Sequence, residues 1–369
     1  MAKIWDCFMF GGELDLLEHR LRELGEVVDH FVLCESSRTH SGRAKPLHYW
    51  ENRERFVAWE KQIVHVVAEL DENASHAWRR EEQQRRHIRD VLRARAAADD
   101  AIVMGDVDEF IDRDVLAALA DRCFEPVTMG MPHATYYANW WLPLPWSAPP
   151  VFARGSQLGE PLVRSLLGEP HEQWDGFRQR IVDDCGVHIS YSGGADAVRT
   201  KFLGHPDTYL GDERYHREGY IEWCMTYGVH FEGWGVLRRL QLDELPPVLR
   251  RLHARAPQLF DFTPQPGNAK AMALSGYALL RRSSSLPQGL VDRFDAHPSW
   301  VTGGAATPLF LGVEAARRAR RRVRKRFEAP FFIPLESSLR ARRALAKHPE
   351  WRDPIHLSLA SFSDKAVAQ

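Results

Sequence analysis

The 369-residue chain contains no run of about 18 apolar residues, which excludes a transmembrane helix. It is poor in cysteine: Cys7, Cys34, Cys123, Cys185 and Cys224 are odd in number, scattered, and form no C-x-x-C pair. Buried free thiols in a reducing compartment are therefore expected, rather than a disulfide framework or a zinc site. The opening Met1-Ala2-Lys3-Ile4-Trp5-Asp6 enters an apolar strand pattern, with an acid at position six and no cleavage-site pattern, so it does not read as a signal peptide. There is no internal repeat. Net charge is almost absent too, at −1, but that value hides an asymmetry. Residues 263–369 carry 18 Lys+Arg and 8 Asp+Glu, or +10, whereas residues 1–262 carry 31 and 42, or −11. The sign changes near Thr263-Pro264-Gln265-Pro266-Gly267, which predicts a body over 1–262 and a basic helical or irregular extension over 263–369.

What is present is a regular alternation. Strand patterns fall over residues 3–10, 28–34, 63–67 and 101–104. Between them lie an amphipathic helix over 13–24, with Leu14, Leu17, Leu21 and Leu24 on one face, a helix over 50–61, and a long helix over 76–97 that Ser75 is placed to cap. A further helix is expected over 114–120. Strands are expected over 127–131, 178–182 and 187–191, and helices over 195–203, 220–227 and 245–254. This order predicts an α/β fold with a mixed, mostly parallel central sheet and helices on both faces. Residues 127–150 differ in texture: Tyr136, Tyr137, Trp140, Trp141 and Trp146 are interleaved with prolines, which suits either a sugar-stacking surface or a hydrophobic lid over the core.

The apolar run Ala101-Ile102-Val103-Met104-Gly105 ends in Asp106-Val107-Asp108-Glu109. In an open α/β sheet, ligands bind beyond the carboxyl ends of the strands. Asp106 and Asp108, at i and i+2 of an extended chain, face the same side and suit a hard divalent cation carrying a phosphate-bearing substrate, the pattern of a sugar-nucleotide glycosyltransferase. A solvated turn after a core strand would carry the same letters.

The chain resembles glycosyltransferase family 17. The resemblance rests on an ordered set of motifs: Trp5-Asp6-Cys7-Phe8-Met9-Phe10 with Glu13-Leu14-Asp15-Leu16-Leu17-Glu18; residues 32–37 with Ser41-Gly42 and Lys45-Pro46-Leu47; Trp78-Arg79-Arg80-Glu81 with Gln84-Arg85; Asp106-Val107-Asp108-Glu109; His188-Ile189-Ser190-Tyr191 with Lys201; and Pro246-Pro247-Val248-Leu249 running to Phe262. It departs from the family at Phe110-Ile111, where Ile-Pro is usual, and at Val187, where Trp is frequent. The resemblance implies a GT-A-like nucleotide-sugar-binding sandwich. It also implies metal-dependent inverting transfer of N-acetylglucosamine from UDP-GlcNAc to a glycan or glycolipid hydroxyl.

On that reading Asp106, Asp108 and His205 would hold Mn²⁺ or Mg²⁺, the imidazole favouring Mn²⁺. Arg79, Arg85 and Lys201 would meet phosphate, and Glu35 the ribose or base. Asp196, at a helix start after Gly193-Gly194, would be the general base, with Asp183 and Asp184 as alternatives. Each has a plainer reading: Arg85 as an ion pair with Glu81, Asp196 as a helix cap, His205 as a turn residue. The run from Arg317 to Arg326, followed by Phe327, Pro330, Phe331, Phe332 and Ile333, suits an anionic membrane surface. Nucleic acid is not expected, since no nucleic-acid fold pattern accompanies the run. The expectation is a cytoplasmic enzyme, peripheral on the membrane. Two other classes stay open: a nucleotidyltransferase or phosphohydrolase using the same acids on metal, and a non-catalytic glycan- or nucleotide-binding module.

Overall fold

The strand-helix alternation builds a sheet whose two faces are covered by different helices. The computed structural model describes residues 2–146, 148–157, 180–264, 267–283, 285–327 and 355–357, with backbone alone for 208, 320–327 and 355–356. Strands β1 (Ile4–Met9), β2 (His30–Glu35), β3 (Ile63–Val67) and β4 (Ala101–Asp106) pair in parallel in the order β4-β1-β2-β3. Beyond β4 the sheet continues through β9 (Val151–Arg154), β6 (Val127–Met129), β10 (Arg180–Val182) and β13 (Ile355–Leu357). Among the described strands of this sheet β9 alone runs antiparallel.

Alternation along β1 sorts its side chains by face. Trp5, Cys7 and Met9 join Ile88 and Leu92 of α3 (Ala77–Arg95). Phe8 and Phe10 join Leu17, Leu21 and Leu24 of α1 (Leu14–Leu24). Each of those leucines contributes roughly 1.5–3 kcal/mol by full burial. Asp6 falls on the α1 face by the same alternation, and there Arg20 of α1 meets it through Nε and Nη2 at 2.7 and 2.6 Å. All five cysteines are buried, and none forms a disulfide among the described residues.

Three local expectations change. Ser75 does not cap α3, whose first turn follows His76 without any side-chain cap. The helix expected over 50–61 is two pieces, α2 (His48–Glu51) and a 3-10 stretch (Arg53–Trp59), broken at Asn52; α2 starts early because the Glu35 carboxylate receives the Tyr49 and Trp50 N–H groups. The aromatic segment is part of a packed sheet. It forms β7 (Pro132–Thr135) and β8 (Trp140–Pro145), which join β5 (Glu109–Ile111), β11 (Gly186–Ser190) and β12 (Arg238–Arg239) in a second sheet of order β12-β8-β7-β11-β5. Tyr136 and Trp140 are buried, their polar tips on Val229 O and Asp261 O at 3.1 and 2.9 Å.

The change of charge at residue 263 is not a packing boundary among the described residues. Helix α9 (Asn268–Arg282) buries Ala271, Leu274 and Tyr277 against Tyr220 of α7 (Tyr220–Tyr227), Phe231, Val301 and Phe310. It lies so close to α12 (Thr307–Phe327) that a Cβ on Gly276 would collide with the Phe310 carbonyl. Glu314 is buried, accepts from Ser275 Oγ at 3.1 Å, and pairs with Arg317 and Arg318. Arg317 also donates to Trp234 O at 2.6 Å. One arginine of the basic run is therefore engaged with the body, and Arg318 is held by Glu314 of its own helix. Phe331, Phe332 and Ile333 lie outside the described residues. No described helix is long and apolar enough to cross a membrane.

Candidate functional site

The parallel strands run outward from β1 in both directions, to β2 and β3 on one side and to β4 on the other. The carboxyl ends of β1 and β4 therefore flank a topological switch point, where open sheets leave a crevice. Gly11-Gly12-Glu13 leaves β1 there, and Asp106-Val107-Asp108 leaves β4. Gly12 holds φ at +131° with the His48 ring 2.7 Å from where a Cβ would stand, so the turn accepts no side chain.

Beneath the acids the backbone is fixed from three sides. Arg20, having met Asp6, also donates to the carbonyls of Asp106, at 3.1 Å, and Glu109. Glu109, fully buried, accepts from Asp106 N at 2.7 Å and from Trp146 Nε1 at 2.6 Å. Ile189 N donates to Asp108 O at 2.8 Å, tying the acidic turn to β11. The turn is thus a rigid support for two carboxylates.

Each carboxylate meets a cation. Arg85 of α3 reaches Asp106 Oδ1 at 3.1 Å while its Nη2 holds Glu81 at 2.8 Å, so the helical ion pair and the contact with the acid coexist. Its Nη1 is buried without a hydrogen-bond partner. Lys201, on α5 (Ala195–Gly204), stands 2.7 Å from Asp108 Oδ2 and 3.6 Å from Glu13 Oε1. His188 Nδ1 lies 3.5 Å from Asp108 Oδ1 and its ring stacks on Trp146 at 3.8 Å. Burial alone would push the Asp108 carboxyl up, but Lys201 and His188 outweigh it and hold it below the ordinary range. For Lys201, burial opposes the charge, yet Asp108 and Glu13 prevail and its value is raised.

Other candidates stand elsewhere. Glu35 is buried and committed: besides the two α2 amides it receives His65 Nε2 at 2.9 Å, so it builds the β2–α2 junction and cannot meet a ribose without breaking it. Arg79 is exposed on α3, one residue from the buried Arg80, which clamps the Asp71 and Glu72 carbonyls. Asp196 is fully exposed, paired with Arg199 at 2.8 Å. It precedes Lys201 by five residues on α5, which places the two about 140° apart around the helix, so Asp196 points away from Asp108. Asp184 is exposed in the turn before β11, at the opposite end of that strand from Ile189, and Asp183 is exposed beside it. His205 follows α5, and its Nδ1 accepts from Asp207 N at 3.0 Å, which leaves the ring proton on Nε2. A metal on Nε2 would require that hydrogen bond to be given up. Burial drives this imidazole down to about 4.

Among the described residues no group of three or more His, Cys, Asp or Glu side chains is gathered as a ready metal cage. The donor chemistry nonetheless suits a hard cation. Glu13, Glu81, Asp106 and Asp108 bring oxygen donors together, with Arg85 and Lys201 paired among them. Sequence reasoning overlooked Glu13 and Arg20. The signal for Arg20 was a charge inside a leucine stripe, opposite the lone acid of an apolar strand.

A Rossmann-like α/β sheet with carboxylates at its switch point defines the class. Within it, residues 1–140 match Glycosyltransferase family 17. Over 139 residues the chain is 32% identical to a beta-1,4-mannosyl-glycoprotein 4-beta-N-acetylglucosaminyltransferase of Homo sapiens, and to the protein of the same name of Rattus norvegicus. Each alignment covers 35% of this chain and 26% of the relative, so the similarity spans about a quarter of the curated relatives' length.

Proposed function

We propose that the chain is a metal-dependent, inverting glycosyltransferase of GT-A-like fold that moves N-acetylglucosamine from UDP-GlcNAc to a hydroxyl of a glycan or glycolipid. The observation that carries this reading is the meeting of Glu13, Arg85, Asp106, Asp108 and Lys201 at the switch point, inside the segment that matches family 17.

A nucleoside diphosphate is an anion, and a cluster of carboxylates repels it. Mn²⁺ or Mg²⁺, held by Asp106 and Asp108, would offset that repulsion and act as a Lewis acid on the leaving diphosphate. The chain's own side chains then orient the leaving group. Arg85, its guanidinium already fixed by Glu81 and Asp106, would offer Nη1, which has no partner among the described residues, to a phosphate oxygen. Lys201 holds Asp108 ionised, and Arg20 keeps the acidic turn from drifting as charge develops. Asp196 and Asp184 are not carried into this proposal as bases, given their exposed positions.

The test is incubation of the full chain with UDP-GlcNAc and neutral glycans, with Mn²⁺ or with EDTA, measuring free UDP and glycosylated product. UDP release with Mn²⁺, lost in EDTA, is expected. Pyrophosphate as the product would make the protein a nucleotidyltransferase. Inorganic phosphate would make it a phosphohydrolase, and metal-dependent binding without turnover a non-catalytic module. The proposed cytoplasmic setting rests on the scattered cysteines; the peripheral-membrane setting rests on the basic run Arg317 to Arg326, and is tested by co-sedimentation with anionic vesicles at low and high salt.

A further inference from the structure

A second set of polar groups opens beside the donor acids without belonging to them. Tyr191 links the two: its ring lies 5.5 Å from Lys201 Nζ and 6.5 Å from the His205 ring. Past His205, the Asp207 carboxylate receives a hydrogen bond from the Trp78 side chain, and Trp78 is 49% exposed at the start of α3. Two residues on, Tyr209 is 43% exposed and its hydroxyl donates to Glu232 Oε1 at 2.9 Å. Arg282, the last residue of α9, brings Nε to the same oxygen at 2.9 Å and lies 5.8 Å from the Trp234 ring centre. The Glu232 side chain is only 3% exposed, and Tyr209 and Arg282 both meet its Oε1.

A tie between α9 and the body would explain the Glu232–Arg282 pair. It does not explain two large aromatic side chains left half-exposed beside two carboxylates. Aromatic faces offer apolar contact to the C–H faces of a pyranose, carboxylates accept from its hydroxyls, and a guanidinium donates to them. Two carboxylates against one guanidinium disfavour an anionic ligand. The geometry points to an acceptor subsite for a neutral oligosaccharide, formed by Trp78, Asp207, Tyr209, Glu232, Trp234 and Arg282. As an acceptor site it rests on the transferase reading above. As a sugar-binding surface it stands on its own contacts.

The test uses the full chain, with mannotriose and chitotriose titrated against tryptophan fluorescence and UDP binding followed separately by calorimetry in Mn²⁺. At least one oligosaccharide should change the emission saturably. Trp78→Ala and Tyr209→Ala, both at exposed positions, should each weaken that binding roughly tenfold, the loss of about 1.4 kcal/mol, while UDP affinity stays within about twofold. Glu232→Gln should weaken it comparably, and its melting temperature guards against misfolding. If neither sugar binds while UDP does, the subsite is wrong and the donor reading survives. If sugar binds with the expected variant pattern but UDP does not, the subsite stands and the donor reading falls. If Trp78→Ala and Tyr209→Ala leave sugar binding unchanged, or lower UDP affinity as much as sugar affinity, the subsite is overturned.

Discussion

The region of β1 to β4 and the region from β7 to α9 handle buried polarity differently. In the first, charge is met by charge: Asp6 by Arg20, Asp108 by Lys201, Asp106 by Arg85. In the second, a buried ion pair, Glu232 with Arg282, stands beside imidazoles that stay neutral. His133 and His230 are buried, and burial holds both imidazoles well below their ordinary value; His230 stacks on Trp234 at 4.4 Å. The contrast suits the two halves of a glycosyl transfer. An anionic leaving group demands fixed charges, and a neutral acceptor demands aromatic faces with a few polar groups between them. The family match over residues 1–140 ends inside the aromatic segment, at Trp140.

The strongest way to break the division is to remove α9 to α12. If the chain were a body with a detachable tail, truncation after residue 262 would leave a folded protein. The packing of Tyr277 and Phe310 on Tyr220 and Phe231 predicts the reverse. The truncated protein should lose its cooperative melting transition and aggregate, as read by calorimetry and light scattering; a sharp transition near the full-length value would restore the separate-tail view.

Next in size is the pair beneath the acids. Arg20→Ala strands Asp6 in the core and releases the Asp106 carbonyl. A destabilisation of about 3–5 kcal/mol is expected, measured by urea unfolding. A loss below about 1 kcal/mol would mean the pair is solvated in solution.

Asp108→Asn tests the charged half directly. UDP release should fall by roughly 10²–10³-fold, the size found when a group stabilising transition-state charge is removed. Acid should act on the same group. Because Asp108 is held below its ordinary range, its contribution to stability is complete above the unfolded-chain value of about 3.9, and is lost as pH falls through the lower folded value. The raised Lys201 works in the other direction, contributing fully below about 10.4 and less as pH rises through its folded value. A Lys201→Met protein should therefore lose stability at neutral pH, and recover part of it on acidification as Asp108 protonates.

Much of the first region was legible because local pattern and tertiary role coincide there. The 63–67 strand lies where its β-branched run placed it, and the acids stand at the end of β4 because an apolar run must stop where the sheet does. The rest was hidden for identifiable reasons. Tyr136 and Trp140 look like a loop surface because proline interrupts the period-two pattern, yet β12 pairs with β8 only at Trp140 and Trp141, and Pro143 and Pro145 lie past that pairing, where proline is tolerated. Glu35 looks like a ligand-binding acid because nothing in sequence shows that two α2 amides point at it. The basic composition after residue 263 concealed Ala271, Leu274 and Tyr277, since net charge reports a surface and not the face a helix buries.

The smallest effect is expected at Asp196, and it separates helix position from chemistry. The residue begins α5 as a general base of this architecture would, but its side chain is fully exposed and holds only Arg199, which is bound more closely by Glu222 at 2.5 Å. Asp196→Asn should therefore change stability by no more than about 0.5 kcal/mol, as exposed surface substitutions do. It should also leave UDP release within about twofold of the parent, because Lys201, on the other side of the same helix, keeps its hold on Asp108. The comparison partner is Asp108→Asn, assayed with the same acceptor and metal. A drop of 10²-fold or more in Asp196→Asn, with UDP affinity intact, would be the signature of a lost base. It would mean that α5 turns when substrate binds, bringing its first turn to the cleft.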